Sequence, residues 1–413
     1  MTDQVAHLAR PLTLPNGAVL PNRVAKSAMS ERLAGAGGVP GEELRTLYRR
    51  WGQSGAGLLI TGNVMVDRQA IAEHRNAVIE ADSDLTALRD WAAACGPTPT
   101  WVQINHPGRQ APRTVSSRPV APSVVPMRGL WGAFARPRAL EETEIHRIVE
   151  RFAESAALVQ AAGFDGVQIH AAHGYLVSQF LSPLTNLRTD GWGGSPERRR
   201  RFLLEIVRAI RSAVGPRFSL GVKLNSADFQ RGGFDETESM AVVEALNAEG
   251  IDLLEISGGT YEAAAMFAES RSESTRRREA FFLDYANAVR SRVKVPLMVT
   301  GGFRSAEAME SAVAGGIDLV GLARPFAAVP DLPAQLLGGS LASAPTIRLN
   351  SGLKMLDSLV QGAWYQLQIH RMGNGLDPDL RVGRLRAAVS YFTRGAARPA
   401  ISPRPALAPP GQG

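Results

Sequence analysis

Short apolar runs alternate with longer amphipathic stretches along most of the chain, the pattern of repeated βα units around a parallel sheet. The runs Arg23–Met29, Gly57–Val66, Thr100–Asn105, Gly166–His170, Phe218–Leu224, Leu253–Ser257, Leu297–Thr300 and Leu319–Leu322 are expected as strands. Between them, Glu42–Gln53, Asp84–Ala94, Glu142–Ala162, Pro196–Val214, Glu236–Asn247, Asp284–Val293 and Ala306–Ala314 carry apolar residues three and four apart and are expected as helices. Eight strands alternating with helices predict the α/β class and a (β/α)8 TIM barrel, with an open doubly wound sheet as the alternative. Residues 12–20 read as an N-terminal hairpin turning at Asn16-Gly17, placed to plug the bottom of the barrel. The segment His106–Arg138, rich in Pro, Gly and Arg, reads as a long excursion above the catalytic face. Past about residue 345 the rhythm stops. The chain therefore divides into a barrel over 1–345 and a C-terminal extension over 346–413, helical over Ser351–Arg371 and Pro-rich, without fixed structure, over Ala397–Gly413.

Composition narrows the function. Of 413 residues, 45% are hydrophobic and 21% charged, which excludes wholesale disorder. No run reaches the roughly 18 apolar residues of a membrane span, and the start Met1-Thr2-Asp3-Gln4 lacks the order of a signal peptide. A cytoplasmic protein without a membrane partner is expected. Cys95 is the sole cysteine, so one chain can form neither an internal disulfide nor a cysteine-held zinc or iron–sulfur centre. The net charge of +7 raises the question of nucleic acid. Only Lys26, Lys223, Lys294 and Lys354 are lysine, however, and the arginines are spread along the chain without any nucleic-acid-binding motif. The charge then reflects a general preference for arginine, and no nucleic-acid partner is expected.

In a barrel, chemistry sits at the C-terminal ends of the strands. The fourth run ends in His170-Ala171-Ala172-His173-Gly174-Tyr175. These residues read either as satisfied loop polar groups or as two imidazoles and a phenol that hold a carbonyl oxygen and deliver a proton beside it. No carboxylate at ligand spacing accompanies them, so no metal is expected. After the seventh and eighth runs come Thr300-Gly301-Gly302 and Ala323-Arg324, where small residues let main-chain N–H groups approach a phosphate and the guanidinium can clamp it. Lys26 and Lys223 fall within expected barrel strands, which is costly for an ammonium unless a partner meets it. The ordinary alternative is that each snorkels to water from a strand end.

From His170 through Leu176, then Gln179-Phe180-Leu181-Ser182-Pro183, Asn186, Arg188-Thr189-Asp190 and Gly193-Gly194-Ser195-Pro196-Glu197-Arg198, the sequence resembles the Old Yellow Enzyme family. The resemblance covers roughly residues 10–340, with Pro21-Asn22-Arg23-Val24 opening the first strand and Gln103, His106 and Gly108-Arg109-Gln110 at the third. It implies FMN as cofactor, NADH or NADPH as reductant, and an α,β-unsaturated carbonyl compound as small-molecule substrate, the two reacting in turn at one flavin face. It also implies that Ser27, Ala28 and Met29 line the flavin, Gly62 passes close to it, Gln103 bonds its pyrimidine edge, and Lys223 stands as a fixed cation beside it. Gly301, Gly302, Ala323 and Arg324 would hold the phosphate, His170 and His173 the substrate carbonyl, and Tyr175 would be the proton donor.

Two positions depart from the family pattern. Ser30 stands where relatives carry Thr or Cys near the flavin, and Arg32 where one branch has an aromatic residue. Longer relatives of the 2,4-dienoyl-CoA reductase type carry a cluster on four cysteines, which this chain cannot supply. A phosphosubstrate-binding barrel lyase or isomerase, or a flavin protein with another electron acceptor, are the competing functions. Homo-oligomerisation is left open.

Overall fold

The computed structural model describes residues 5–128, 132–259, 282–347, 349 and 354–395. The expected tail Ala397–Gly413 lies outside the described residues. Eight parallel strands close on themselves: β1 (Val24–Lys26), β2 (Leu58–Ile60), β3 (Thr100–Asn105), β4 (Gly166–Ala171), β5 (Ser219–Asn225), β6 (Leu253–Ser257), β7 (Leu297–Thr300) and β8 (Leu319–Leu322). Neighbours in sequence pair in the sheet, and β8 pairs with β1, so the barrel has no edge. The open-sheet alternative is thereby excluded.

Helices α1 (Glu42–Gly52), α2 (Leu85–Ala94), α3 (Glu142–Ala162), α4 (Leu176–Leu181), α5 (Pro196–Val214), α6 (Glu236–Ala248), α7 (Leu283–Arg290), α8 (Ala306–Ala314), α9 (Arg324–Ala328) and α10 (Leu332–Leu337) follow or flank the strands. Their starts follow from local chemistry. Ser195 accepts a hydrogen bond from the Arg198 N–H and Pro196 opens α5, while Asp84 and Asp235 accept from the first-turn N–H groups of α2 and α6. The six-residue α4 falls outside the sequence expectation, being too short to show a period.

Each strand sends alternate residues to opposite faces. Val102, Ile104, Val167, Ile169, Val222 and Ile256 pack outward against the helices, whereas Trp101, Leu253, Met298 and Leu319 fill the barrel interior with Leu12, Leu14 and Leu20 of the N-terminal hairpin. The hairpin, Leu12–Thr13 against Val19–Leu20, thus closes the N-terminal end. Inside the His106–Arg138 excursion, Val120–Ala121 pairs in parallel with Arg138–Ala139.

The C-terminal extension supplies α11 (Lys354–Gly373) and α12 (Arg384–Gly395). Trp364, Tyr365, Ile369 and Met372 of α11 are buried in the same apolar cluster as α1 and α9, so α11 completes the helical layer beside β1. Among the described residues no helix is long and apolar enough to cross a membrane.

Candidate active site

The inward-facing positions turn polar toward the C-terminal end of the barrel. Trp101 gives way to Gln103 and Asn105 along β3, Gln168 is followed by His170 on β4, Gly221 by Lys223 and Asn225 on β5, and Leu253 by Glu255 and Ser257 on β6. Strand register places His170 beside Lys223 and Lys223 beside Glu255. Lys223 Nζ donates to Glu255 Oε1 at 2.8 Å, Gln168 Nε2 donates to Glu255 Oε2 at 2.7 Å, and Gln103 Nε2 donates to Gln168 Oε1 at 2.7 Å. A carboxylate only accepts, so Glu255 fixes the orientation of both amides. Gln103 is left with its carbonyl oxygen to offer a ligand N–H.

Above this layer, the rings of His170 and His173 lie 5.1 Å apart and those of His170 and Tyr175 4.9 Å apart. His170 Nδ1 accepts the Ala172 N–H at 3.2 Å, so in the neutral ring the proton is on Nε2. His173 Nε2 lies 2.8 Å from Ser257 Oγ, and its backbone N–H donates to Asn225 Oδ1. The backbone at His173 is left-handed, φ +61°, a conformation held by that bond and worth a functional reading in a non-glycine residue. Burial holds both imidazoles well below their ordinary pKa; the neighbouring ring and the Lys223 ammonium add to this at His170, and Lys223 alone at His173. Both act as neutral hydrogen-bonding groups. Asn63 Nδ2 donates to Tyr175 Oη at 3.1 Å.

The loop after β1 forms the opposite wall. Ala28, Met29 and Ser30 are half-buried there, with Ser30 Oγ buried and unbonded. Gly62 donates its N–H to Glu31 Oε1 at 2.7 Å, and a Cβ at Gly62 would strike the Met29 carbonyl and the Glu31 carboxylate. Glycine is thus required by the Glu31 loop itself. The Tyr48 hydroxyl also donates to Glu31, whose carboxyl is pushed up chiefly by burial. Lys26 lies fully buried on the outer side of β1, donating to the Ile60 carbonyl at 2.8 Å with its ammonium 4.4 Å from the Trp51 ring centre. It does not snorkel; burial pulls its pKa down to about 8.

At β7 and β8, Gly301 and Gly302 have φ of +131° and +98°, which side-chain-bearing residues rarely adopt. Ala323 and Arg324 stand half-buried beside them, and the guanidinium makes no hydrogen bond or ion pair among the described residues. Ser27 Oγ and Thr300 Oγ1 are 2.7 Å apart beneath this corner. An unpaired cation beside two open main-chain turns, together with the unbonded Ser30 hydroxyl and the buried, unbonded amide of Asn105, fits a group with a phosphate at one end and a polar ring at the other. Among the described residues no group of His, Cys, Asp and Glu could hold a metal ion.

Sequence reasoning overlooked Glu255, Gln168, Asn63, Asn105 and Glu31. Glu255 and Gln168 carry a signal, being polar residues at inward positions of otherwise apolar strands. Arg32, flagged from the sequence, lies buried with a left-handed backbone, φ +56°.

A closed parallel barrel with glycine turns beside an arginine at β7–β8, an amide relay and a His-His-Tyr cluster at its mouth is an arrangement suited to a flavin-binding oxidoreductase. Residues 7–340 match the sequence model of the NADH:flavin oxidoreductase / NADH oxidase family, and the chain belongs to that family, the Old Yellow Enzymes. Its cofactor is FMN and its reductant NADH or NADPH. The chain is 41% identical over 355 residues to the NADH-dependent flavin oxidoreductase iliE of Hypocrea jecorina, covering 79% of this chain and 88% of that one. It is 37% identical over 411 residues to iccE of Talaromyces variabilis, a protein of the same description, covering 92% and 97%. That alignment leaves too few residues aside to stop short of α11. The solved old yellow enzyme homologue of Zymomonas mobilis superposes with a TM-score of 0.70 at 25% identity, over 82% of this chain and 95% of that one.

Proposed function

We propose that the chain is an ene-reductase, which reduces the C=C bond of an α,β-unsaturated carbonyl compound with electrons from a nicotinamide nucleotide. The observation that carries this reading is the packing of two neutral imidazoles and the Tyr175 phenol into one cluster at the mouth. FMN, when bound, supplies a hydride to the β-carbon of the alkene. The chain supplies the rest. His170, through its Nε2–H, and His173 would donate to the substrate carbonyl oxygen, drawing charge off the alkene and stabilising the enolate-like transition state. Tyr175 would pass its proton to the α-carbon. Because the Tyr175 oxygen accepts from Asn63, the hydroxyl proton is turned away from that amide, and the same amide stabilises the oxygen once the proton has left.

Ser27, Ala28, Met29, Ser30, Gly62, Gln103 and Lys223 would hold the flavin ring, and Gly301, Gly302, Ala323 and Arg324 its phosphate. Both fungal relatives are NADH-dependent flavin oxidoreductases by name, which favours NADH as the reductant. The test is anaerobic stopped-flow reduction of the holoenzyme by NADH and by NADPH, followed by mixing with enones, enoates and nitroalkenes. Rapid reoxidation by at least one enone class is expected. Reoxidation by oxygen alone across the panel overturns the reading.

A further inference from the structure

The family match ends at residue 340, yet α11, beyond it, reaches the wall of the proposed flavin site. Gln366 Nε2 donates to the Glu31 main-chain carbonyl at 2.5 Å, and His370 Nε2 lies 3.1 Å from the same oxygen and 3.0 Å from Gln366 Nε2. The two side chains are one helical turn apart on α11 and converge on a single acceptor. Two further contacts hold the end of α11 against Leu33 of the same loop and against Glu43 in the first turn of α1. A Cβ at Gly373 would collide with Leu33 Cδ1 and crowd the Glu43 carbonyl, and Asn374 Nδ2 donates to Glu43 Oε1 at 3.2 Å.

Glu31 faces the site with its other end. Its carboxylate takes the Gly62 N–H and the Tyr48 hydroxyl, coupling the loop after β1 to the loop after β2. A shift of the Glu31 backbone therefore moves both walls, Met29 and Ser30 on one side, Gly62 and Asn63 on the other. We propose that α11 is part of the cofactor site, with Gln366 and His370 as positioning residues that set the flavin-facing loops through the Glu31 carbonyl. This rests on the placement of the flavin against Ala28–Ser30 and Gly62.

The test uses full-length holoenzyme carrying Gln366→Met and His370→Phe, singly and together, which keep bulk and remove the hydrogen bonds. Gln368→Ala serves as the comparison. It lies on the same helix and breaks its bonds to the main chain of Asp379, in the segment between α11 and α12, without touching Glu31. Each variant is measured for FMN dissociation constant, bound-flavin reduction potential and melting temperature. Loss of about one hydrogen bond's worth of positioning predicts FMN binding weakened by roughly five- to tenfold in the double variant, with a shifted potential. Gln368→Ala should leave both unchanged even where its melting temperature falls as far. Unchanged affinity and potential in the double variant, or equal changes in Gln368→Ala, overturn the proposal. Ser30→Ala separates the two layers of the argument. If it leaves flavin spectrum and potential unaltered, the placement of the flavin against this loop fails and the strut falls with it; if Ser30→Ala responds while the α11 variants do not, the strut alone fails.

Discussion

Lys223 Nζ donates to Glu255 Oε1 across 2.8 Å from the neighbouring strand, and both side chains are shut away from solvent. The lysine expected as a fixed cation beside a flavin, and expected to need a partner, is half of a buried ion pair. Glu255 has a second task, since its other oxygen orients Gln168 and through it Gln103. Glu255→Gln keeps the shape, leaves the Lys223 charge uncompensated and lets the amide relay reverse. Breaking a buried pair by removing one partner costs about 3–5 kcal/mol, so urea unfolding should show a loss of that order. The uncompensated cation should make the bound-flavin potential more positive than in the parent. An unchanged potential with normal FMN content would show that Lys223 does not face the cofactor.

Asn63 and Tyr175 give a prediction that separates the half-reactions. Tyr175→Phe should slow substrate reduction by about 10²–10⁴-fold and leave flavin reduction by the nucleotide nearly intact. Asn63→Ala should slow the same step by about tenfold, the worth of one hydrogen bond to the developing phenolate. If Asn63 works through Tyr175, the double variant is no slower than Tyr175→Phe alone. Multiplicative losses in stopped-flow traces would show an independent role.

The barrel was legible because strand burial on both faces writes continuous apolar runs, and the bounds of β3, β6, β7, β8, α3, α5 and α8 coincide with the sequence reading. The His170–Tyr175 segment was legible because its residues are local in sequence. Glu31 was not. Its partners are Gly62, Tyr48 and, from 335 and 339 residues further along, Gln366 and His370, and no local pattern announces such a convergence. Glu255 lies between these cases: an acidic residue inside an apolar strand asks for a cation, but only the register of β5 with β6 says which one.

His106 yields a prediction for stability. It is buried at the end of β3, its Nδ1 accepts the Gly108 N–H, and burial lowers its pKa from 6.5 to about 4. The unfolded chain thus binds a proton that the folded chain refuses over this interval, so stability falls as pH drops. The contribution is fully present above pH 6.5 and is lost progressively toward pH 4. By about pH 5 the loss is on the order of 2 kcal/mol, and His106→Gln should lack that part of the slope. Urea midpoints for both proteins at about pH 7.5 and about pH 5 measure it. Parallel losses would show that the folded state protonates His106 as readily as the unfolded one.

Gly321 tests how tightly the proposed phosphate corner is built. It lies on β8 between β7 and β1, and a Cβ there would collide with Thr300 Oγ1, Ser27 Oγ and Met298 Cε. Gly321→Ala must part the Ser27–Thr300 hydrogen bond or spread the strands, and such overpacking costs about 1–3 kcal/mol. Since Ala28 and Gly301 follow directly on those two side chains, the displacement reaches the proposed cofactor contacts, and FMN content should fall further than the melting temperature alone would predict. Ser27→Ala removes the same hydrogen bond without adding bulk and keeps the main chain by which Ser27 would line the flavin, so it should cost only about 1 kcal/mol while retaining FMN. A Gly321→Ala protein that purifies with full FMN and an unshifted melting temperature would show that the corner can open without disturbing the site.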